Sequence, residues 1–265
     1  MIWPELLIIL LIIFLLYYKR NWKPQRFPFF SKGELIKIGH RGAPSLAYEN
    51  TLDSFIKAMD AGMDGIELDV QYSADKQLIV YHDWAIKTLF GIEKRIEKTS
   101  YSEIEKIRFD NDDANKIPLF SEVLKVLPKK CIKIIEIKSI HLLNTGIEKN
   151  ILDILNNNNI VDSCIISSFN PFVLRRIRKL NSHIQIAYLW TKNKPQFIFN
   201  SPLWVWWCKP DGFHSDINFL DNNLMKWIRR KKMSALAYTI IDQQQLEKAK
   251  HLGLDGIIMD NPHLN

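Results

Sequence analysis

Short apolar runs alternate with helical patterns along the chain from Leu35 onward, and this alternation limits the folds that the sequence can adopt. Parallel strands need crossover connections of about a dozen residues or more, which helices usually provide. Strands that alternate with helices therefore predict a parallel sheet covered by helices. This many units in one unbroken series favours a closed (β/α)₈ TIM barrel over an open sheet.

The sequence offers nine candidate strands for the eight places in such a barrel. They are residues 36–39, 65–71, 78–81, 132–138, 164–168, 184–190, 211–214, 235–240 and 256–259. The candidate helices are residues 51–61, 119–126, 146–155, 171–180, 221–231 and 243–252. The interval between Val70 and Leu78 is too short for a crossover helix. We therefore expect either an extra hairpin arm in this region or a barrel repeat that lacks its helix.

The N-terminus has a different composition from the rest of the chain. Residues 2–18 are almost entirely apolar, which is close to the lower limit of about 17 residues for a membrane-crossing helix. Aromatic residues stand at both ends of this stretch, as at membrane interfaces. The sequence has neither the leading positive charge nor the small-residue cleavage site of a secretory signal. A buried core helix is the alternative interpretation.

Positive residues follow the apolar stretch and set its expected orientation. They are Lys19, Arg20, Lys23 and Arg26. By the positive-inside rule, the side of the membrane that they occupy is the cytoplasm. We predict a single-pass membrane anchor at residues 1–20, a linker at 21–34 and a cytoplasmic domain at 35–265.

Two aromatic segments each allow two interpretations. Phe27, Phe29 and Phe30 of the linker either rest on the bilayer surface or fill the bottom of the domain. Residues 194–210 include Phe197, Phe199 and three tryptophans. This segment is either a bulky helix of the barrel or a loop that dips into the membrane.

The overall charge and the cysteines narrow the chemistry only slightly. A net charge of +7 suits an anionic substrate, a membrane surface or nucleic acid. The sequence has no zinc-finger spacing and no aromatic signature of RNA binding, so we expect no nucleic-acid partner. Three widely separated cysteines argue against a disulfide framework and suit a reducing compartment.

Polar side chains cluster where the candidate strands end. Glu67 and Asp69 alternate with Ile66, Leu68 and Val70, so a strand here places both carboxylates on one face. The other polar residues at strand ends are His40, Arg41, His82, Glu136, Lys138 and Ser168. Reactive residues of a TIM barrel come from the carboxyl ends of several strands, so we expect these side chains to converge.

The three carboxylates in this set predict a site for a hard divalent cation, either Mg²⁺ or Ca²⁺. They are Glu67, Asp69 and Glu136, although Glu136 and Lys138 could also form a simple ion pair. A metal, an arginine and two histidines together suit phosphoryl chemistry. The metal and Arg41 would neutralise charge, and the histidines would move protons.

Several segments resemble the glycerophosphodiester phosphodiesterase family. They are His40-Arg41-Gly42, Glu49-Asn50-Thr51, the run from Gly65 to Val70, His82-Asp83, Ile117-Pro118-Leu119, Glu136-Ile137-Lys138, Ser167-Ser168-Phe169 and the run from Gly253 to Pro262. The resemblance covers roughly residues 36 to 262. It implies a TIM barrel with a small insertion after the His82 strand, which we place at residues 83–118.

The resemblance also implies the role of each site residue. The general base and acid would be His40 and His82. The metal ligands would be Glu67, Asp69 and Glu136, and the phosphate would be held by Arg41 and Lys138. The family usually has a tryptophan-threonine pair on the penultimate strand, where this chain has Tyr238-Thr239. We expect Tyr238 to pack against the glycerol of the substrate.

The expected activity is hydrolysis of a glycerophosphodiester to glycerol 3-phosphate and an alcohol. One histidine would deprotonate the substrate hydroxyl next to the phosphodiester, and the other would protonate the leaving alcohol. A membrane-bound lysophospholipase D that makes lysophosphatidic acid is a close alternative. A catalytically silent barrel that binds lipid headgroups or a protein partner is an alternative of another class.

Overall fold

The computed structural model describes residues 4–20, 22–87, 93–109, 115–192, 199 and 201–264 of the 265-residue chain. The strands in these ranges are β1 (Ile36–Gly39), β2 (Gly65–Tyr72), β3 (Leu78–Val80), β4 (Ala85–Lys87), β5 (Glu93–Arg95), β6 (Ile132–Ile137), β7 (Cys164–Ser168), β8 (Gln185–Trp190), β9 (Gly212–Asp216), β10 (Ser234–Ile240) and β11 (Gly256–Met259). The α-helices are α1 (Pro4–Arg20), α2 (Leu52–Asp60), α3 (Tyr101–Ile104), α4 (Phe120–Val126), α5 (Ile147–Asn157), α6 (Pro171–Leu180), α7 (Val205–Cys208), α8 (Asn222–Arg230) and α9 (Gln243–Leu252).

Eight parallel strands close into a barrel. In ring order they are β1, β2, β6, β7, β8, β9, β10 and β11, and β1 pairs with both β11 and β2. Helices connect these strands, and side chains accept backbone hydrogen bonds at the starts of several helices, as Thr51 does for α2 and Asp242 for α9. The predicted (β/α)₈ barrel is confirmed.

Strand β3 accounts for the ninth candidate strand. It pairs antiparallel with β2, with Val80 opposite Val70 and Leu78 opposite Tyr72. The hairpin-arm alternative is therefore correct. His82 accordingly follows a hairpin arm and not a barrel strand, contrary to the prediction that each site residue ends a barrel strand.

A short hairpin and a helix follow His82 before the chain returns to the barrel. Strands β4 and β5 pair antiparallel, and α3 comes after them. Their buried side chains form a small separate core, which consists of Ile79, Ile86, Ile96, Ile104 and Ile117. This core fixes the segment against β3, so the residues next to His82 have a rigid support.

Side chains along β2 and β6 alternate between the face that packs on the helices and the face that lines the barrel interior. Ile66, Leu68 and Val70 face the helices, where they join the main core. The barrel interior receives the other set of side chains, which includes Ile132 and Ile134 of β6. Glu67, Asp69 and Glu136 lie on this interior face because side chains two residues apart in a strand share a face.

The linker fills the bottom of the barrel with two phenylalanines. Phe27 and Phe30 are 1% and 3% exposed and pack with the interior isoleucines of β1 and β6. Pro210 and Asp211 lie directly before β9 and accept hydrogen bonds from the Trp22 ring and the Gln25 amide, at 3.2 and 2.9 Å. The domain-packing interpretation is therefore correct for these phenylalanines, and the linker runs under the N-terminal ends of the strands.

Helix α1 occupies most of the segment that was predicted to be a membrane anchor. It has 17 residues, about 25 Å of helix, whereas the hydrocarbon core of a bilayer is about 30 Å thick. In the ranges that the structure describes, no helix has both the length and the apolar character needed to cross a membrane. The structure therefore does not support the predicted transmembrane helix.

The tryptophan-rich segment packs mostly against the domain. The Trp206 ring lies 5.5 Å from the Trp22 ring and 4.0 Å from Lys231 Nζ. Trp204 is partly buried against the main core, and Trp207 is 44% exposed. These contacts favour the barrel-helix interpretation of this segment. Phe197 of this segment lies outside the described residues.

Candidate active site

His40 and Arg41 leave the end of β1 in a tight turn against helix α2. Arg41 and Gly42 have positive φ angles of 52° and 91°. A Cβ atom on Gly42 would lie 2.4 Å from Ser54 Oγ, so only glycine lets the loop pass this close to the helix. Ser54 Oγ accepts a hydrogen bond from Ala43 N at 2.8 Å and donates one to Arg41 O at 3.1 Å. Helix α2 thereby fixes the turn that carries both site residues.

Three carboxylates meet inside the barrel on two neighbouring strands. Glu67 and Asp69 belong to β2 and Glu136 to β6, and Asp69 is the register partner of Glu136. One carboxylate oxygen from each of the three lies within 4.8 Å of the others. Glu67 and Asp69 are buried, at 5% and 1% exposure. The barrel thus unites acids that lie almost seventy residues apart in the sequence.

Two cations contact this acidic cluster directly. Lys138 Nζ lies 3.1 Å from Glu136 Oε1 and 3.5 Å from Asp69 Oδ1. Arg41 Nε lies 3.3 Å from Asp69 Oδ2, and the Arg41 amide donates to Glu67 Oε2 at 3.1 Å. Arg41 and Lys138, the predicted phosphate-binding residues, therefore converge on the same point as the predicted metal ligands.

The surroundings shift the pKa values of two acids in opposite directions. Burial raises the pKa of Glu67 well above its usual range, and the charges of Asp69 and Glu136 raise it further. Burial also opposes ionisation of Asp69, but Lys138 and Arg41 outweigh this effect and lower its pKa. The cluster therefore holds more acidic groups than its two cations neutralise.

These residues fit a hard divalent cation. The donors are carboxylate oxygens, the ligand type that Mg²⁺ and Ca²⁺ prefer. Their oxygens are close enough to share one ion. Burial, and next the charges of Asp69 and Glu136, raise the pKa of Glu67, and a bound cation would offset both effects. Glu67, Asp69 and Glu136 are the residues that would hold it.

Each of the two predicted catalytic histidines has a carboxylate at Nδ1. His40 Nδ1 lies 2.6 Å from Asp260 Oδ1, and His82 Nδ1 lies 2.7 Å from Asp83 Oδ1. A carboxylate at Nδ1 fixes the ring orientation and the tautomer, so Nε2 is the nitrogen that can exchange a proton with a substrate. The two histidines therefore have the same kind of hydrogen-bond partner at Nδ1.

Besides Asp83 at His82, three further residues support the site although sequence reasoning assigned them no role. Asp260 orients His40, Asn50 Nδ2 donates to Asp69 Oδ2 at 2.9 Å, and Glu49 binds Arg41 Nη1 with both carboxylate oxygens at 2.8 and 2.9 Å. Asp260 directly follows β11, so extending the strand-end argument to the last strand would have found it. Glu49 and Asn50 lie in a loop and carry no comparable positional signal.

Tyr238 lies beside the site, whereas Ser168 has a structural role. The Tyr238 hydroxyl donates to Trp190 O at 3.0 Å, and its ring meets Phe169 edge-on at 6.2 Å. Burial raises the pKa of Tyr238 well above its usual range, with a further contribution from Glu136. Tyr238 therefore faces the acidic cluster from β10. Ser168, in contrast, donates to Ile137 O at 2.8 Å and acts as a structural turn residue.

Comparisons with known proteins agree with this arrangement. The sequence model of the glycerophosphoryl diester phosphodiesterase family matches residues 40–264. A glycerophosphodiester phosphodiesterase of Caldanaerobacter subterraneus subsp. tengcongensis is 31% identical over 235 residues, which cover 86% of this chain and 94% of that protein. A human lysophospholipase D is 27% identical over 162 residues, 57% of this chain and 50% of that protein.

Solved structures extend the likeness to three dimensions. The crystal structure of a glycerophosphodiester phosphodiesterase from Thermotoga maritima matches with a TM-score of 0.69 at 28% identity. The match covers 87% of this chain and 96% of that chain. The family model, the related sequences and the fold agree with one another. This chain is therefore a phosphodiesterase that belongs to the glycerophosphoryl diester phosphodiesterase family.

Proposed function

We propose that this chain hydrolyses glycerophosphodiesters to glycerol 3-phosphate and an alcohol by metal-dependent acid-base catalysis with two histidines. The observation that carries the proposal is the presence, at one end of the barrel, of two carboxylate-supported histidines beside an acidic cluster and two cations. A barrel that only binds headgroups has no need for a carboxylate behind each histidine, which disfavours the catalytically silent alternative.

The proposed reaction has two steps. One histidine takes the proton of the glycerol hydroxyl next to the phosphodiester, and this oxygen attacks phosphorus. The other histidine gives a proton to the leaving alcohol as the bond between that alcohol and phosphorus breaks. The two histidines are His40 and His82. A cyclic phosphate results. The histidines then exchange roles, and water opens the ring to give glycerol 3-phosphate.

The charged residues hold the phosphate during both steps. Arg41 and Lys138 offer N–H donors to its oxygens, and Glu49 holds the Arg41 side chain in place from the rim. A divalent cation bound by Glu67, Asp69 and Glu136, either Mg²⁺ or Ca²⁺, would supply further positive charge to the phosphate. Asn50 keeps Asp69 oriented through its hydrogen bond.

The position of the site favours water-soluble diesters over lysophospholipids. The site residues lie toward the carboxyl ends of β1, β2 and β6, whereas the linker that follows α1 runs under the opposite end of the barrel. A lipid contact through α1 would therefore leave the site facing away from the membrane. This geometry favours the deacylated substrate, and the lysophospholipase D similarity keeps the lyso form as the second candidate.

A panel of three related substrates tests the cyclic route. Glycerophosphocholine and lysophosphatidylcholine have a free hydroxyl next to the phosphodiester, and diacyl phosphatidylcholine does not. We expect choline release from the first to be faster than from the second and none from the third, measured at equal concentrations above and below the micellar range. Equal turnover of the diacyl lipid would rule out the cyclic phosphate.

We also propose that the protein works in the cytoplasm at a lipid surface that α1 contacts. The residues from Leu6 to Ile13 are each 49–57% exposed, a continuous apolar surface that favours lipid. The three free, buried cysteines suit a reducing compartment. The full chain should float with anionic phospholipid vesicles in a density gradient, and an Ile9→Lys, Ile12→Lys variant should float less. Equal flotation of both, or of neither, would contradict the proposal.

A further inference from the structure

A small cleft lies between the carboxyl ends of β2 and β6, beside the proposed phosphate site. Its volume is about 70 Å³, several times the about 10–15 Å³ that one water needs. Lys138 lines the cleft, and its Nζ atom also lies 3.1 Å from Glu136 in the acidic cluster. Trp84, two residues after His82, forms another part of the wall. The cleft thus includes the lysine of the proposed phosphate site and a residue of the segment that directly follows His82.

The position of the cleft indicates which end of the substrate it would contact. In the barrel, β10 lies across the ring from the β2–β6 pair. Tyr238 of β10 packs against the barrel interior on that far side, and its ring, which meets the Phe169 ring at the end of β7 edge-on, offers a surface on which the carbon atoms of glycerol can pack. A phosphodiester whose glycerol lies against Tyr238 extends its other ester group toward the cleft. The cleft is therefore placed to receive the leaving alcohol.

The charged lining of the cleft is mainly positive. Besides Lys138, the cations are Lys76 and Arg95, and the acid is Glu97. Arg95 Nη2 lies 2.6 Å from Glu97 Oε1, so the protein itself neutralises that acid. Among the lining residues that the structure describes, a positively charged alcohol would find no carboxylate that is not already paired with a cation.

Two aromatic rings in the lining are also paired with cations of the protein. Lys76 Nζ lies 5.1 Å from the centre of the Tyr72 ring. Lys138 Nζ lies 6.0 Å from the centre of the Trp84 ring. Aromatic faces bind quaternary ammonium groups through cation–π attraction. A choline group on either ring would meet a lysine ammonium, and like charges repel at this range.

We propose that this cleft binds the leaving alcohol and selects alcohols with a carboxylate, a phosphate or several hydroxyl groups over those with a quaternary ammonium. Lys76 supplies an ammonium group for them, and Arg95, whose Nη2 is paired with Glu97, offers its other guanidinium N–H donors. The proposal rests on the proposed hydrolase function and names its substrate class. Residues 76 and 95 are then specificity residues of the second ester group.

Two glycerophosphodiesters that differ by one carboxylate give the test. Glycerophosphoserine carries that carboxylate and glycerophosphoethanolamine does not, while both have the same ammonium group. We expect kcat/KM to be higher for the serine diester by at least about threefold. The reason is that the attraction between one added pair of opposite charges at contact distance in water corresponds to a change of about this size. The choline diester should be the poorest substrate of the three.

Charge reversal at the cleft tests whether these residues cause the preference. The Lys76→Glu variant should lower the serine-to-ethanolamine ratio of kcat/KM by about tenfold, since it replaces an attraction with a repulsion. Arg95→Gln should lower the ratio less. Lys125→Glu makes the same charge change at an exposed position of α4 outside the cleft and should leave the ratio unchanged.

The outcomes separate this inference from the proposed function. The inference is wrong, and the hydrolase function stands, if the unaltered chain cleaves all three diesters at equal kcat/KM. The same conclusion follows if Lys76→Glu and Lys125→Glu have the same serine-to-ethanolamine ratio of kcat/KM. If the unaltered chain cleaves no diester, the proposed function is wrong and the inference falls with it. A serine preference that Lys76→Glu removes and Lys125→Glu retains supports both.

Discussion

The His40→Ala variant is expected to lose about 10³-fold in kcat for glycerophosphodiesters, in the upper part of the range for loss of a positioned acid-base group. His40 is one of two histidines whose Nδ1 atom is held by a carboxylate, which leaves Nε2 to exchange the proton. No neighbouring group among the described residues replaces it at the end of β1. The measurement is the steady-state rate of alcohol release at saturating substrate.

Three further variants make this result specific. His82→Ala should reduce kcat to a similar extent, because each histidine is needed in both steps. Asp260→Asn keeps the shape of the partner of His40 but removes its charge and can hold the ring in the other tautomer, so it should also lower kcat strongly and alter the pH profile. His251→Ala, at an exposed site on α9, should have no effect. Retention of full activity in His40→Ala would contradict the acid-base role.

Removal of divalent cations is expected to reduce activity by at least about 10²-fold, since a metal ion that contacts the phosphate is worth several kcal/mol to the transition state. After chelation and dialysis, Mg²⁺ or Ca²⁺ should restore the rate, and the better activator identifies the metal. The structural reason is the buried cluster of three carboxylates, in which burial and then repulsion raise the pKa of Glu67.

The Glu67→Gln variant provides the matched test of the metal site. It keeps the size of the side chain and removes one negative charge from the cluster, so it should weaken cation binding in titration calorimetry as well as activity. Glu34→Gln makes the same change at an exposed position of the linker and should bind the cation normally. Full activity in the presence of a strong chelator would contradict the metal-dependent route.

The sequence was sufficient to predict the barrel and the convergence of its site residues. Both depend on regular patterns, since alternation along β2 places Glu67 and Asp69 on one face whatever the rest of the chain does. Barrel closure then brings Glu136 and Lys138 beside them, as the register of β2 and β6 shows. Predictions of this kind depend only on strand periodicity and strand order.

Features that depend on loops or on element length were harder to predict. The role of β3 as a hairpin arm follows from its antiparallel pairing, which its three apolar residues do not encode. Asn50 and Glu49 reach the site from a loop whose path is set by Gly42 and Ser54. For α1, composition indicated a membrane span, but none of the described helices is both long and apolar enough to cross a membrane.

The alternatives that the sequence left open were decided by tertiary contacts. Phe27 and Phe30 are apolar enough for either a bilayer or a core, and only the open bottom of the barrel makes burial there possible. Trp206 likewise finds Trp22 and Lys231 as partners, which lie far from it in the sequence. Apolar composition alone cannot distinguish such sites from a membrane surface.

The identity of the products formed by the unaltered chain is the most direct test of the central claim. Phosphorus NMR of glycerophosphocholine treated with the full chain and Mg²⁺ or Ca²⁺ distinguishes the two possible sites of cleavage. Attack by the glycerol hydroxyl predicts glycerol 3-phosphate and free choline in equal amounts. Formation of phosphocholine and free glycerol would contradict the account, because the bond broken would then be on the wrong side of phosphorus.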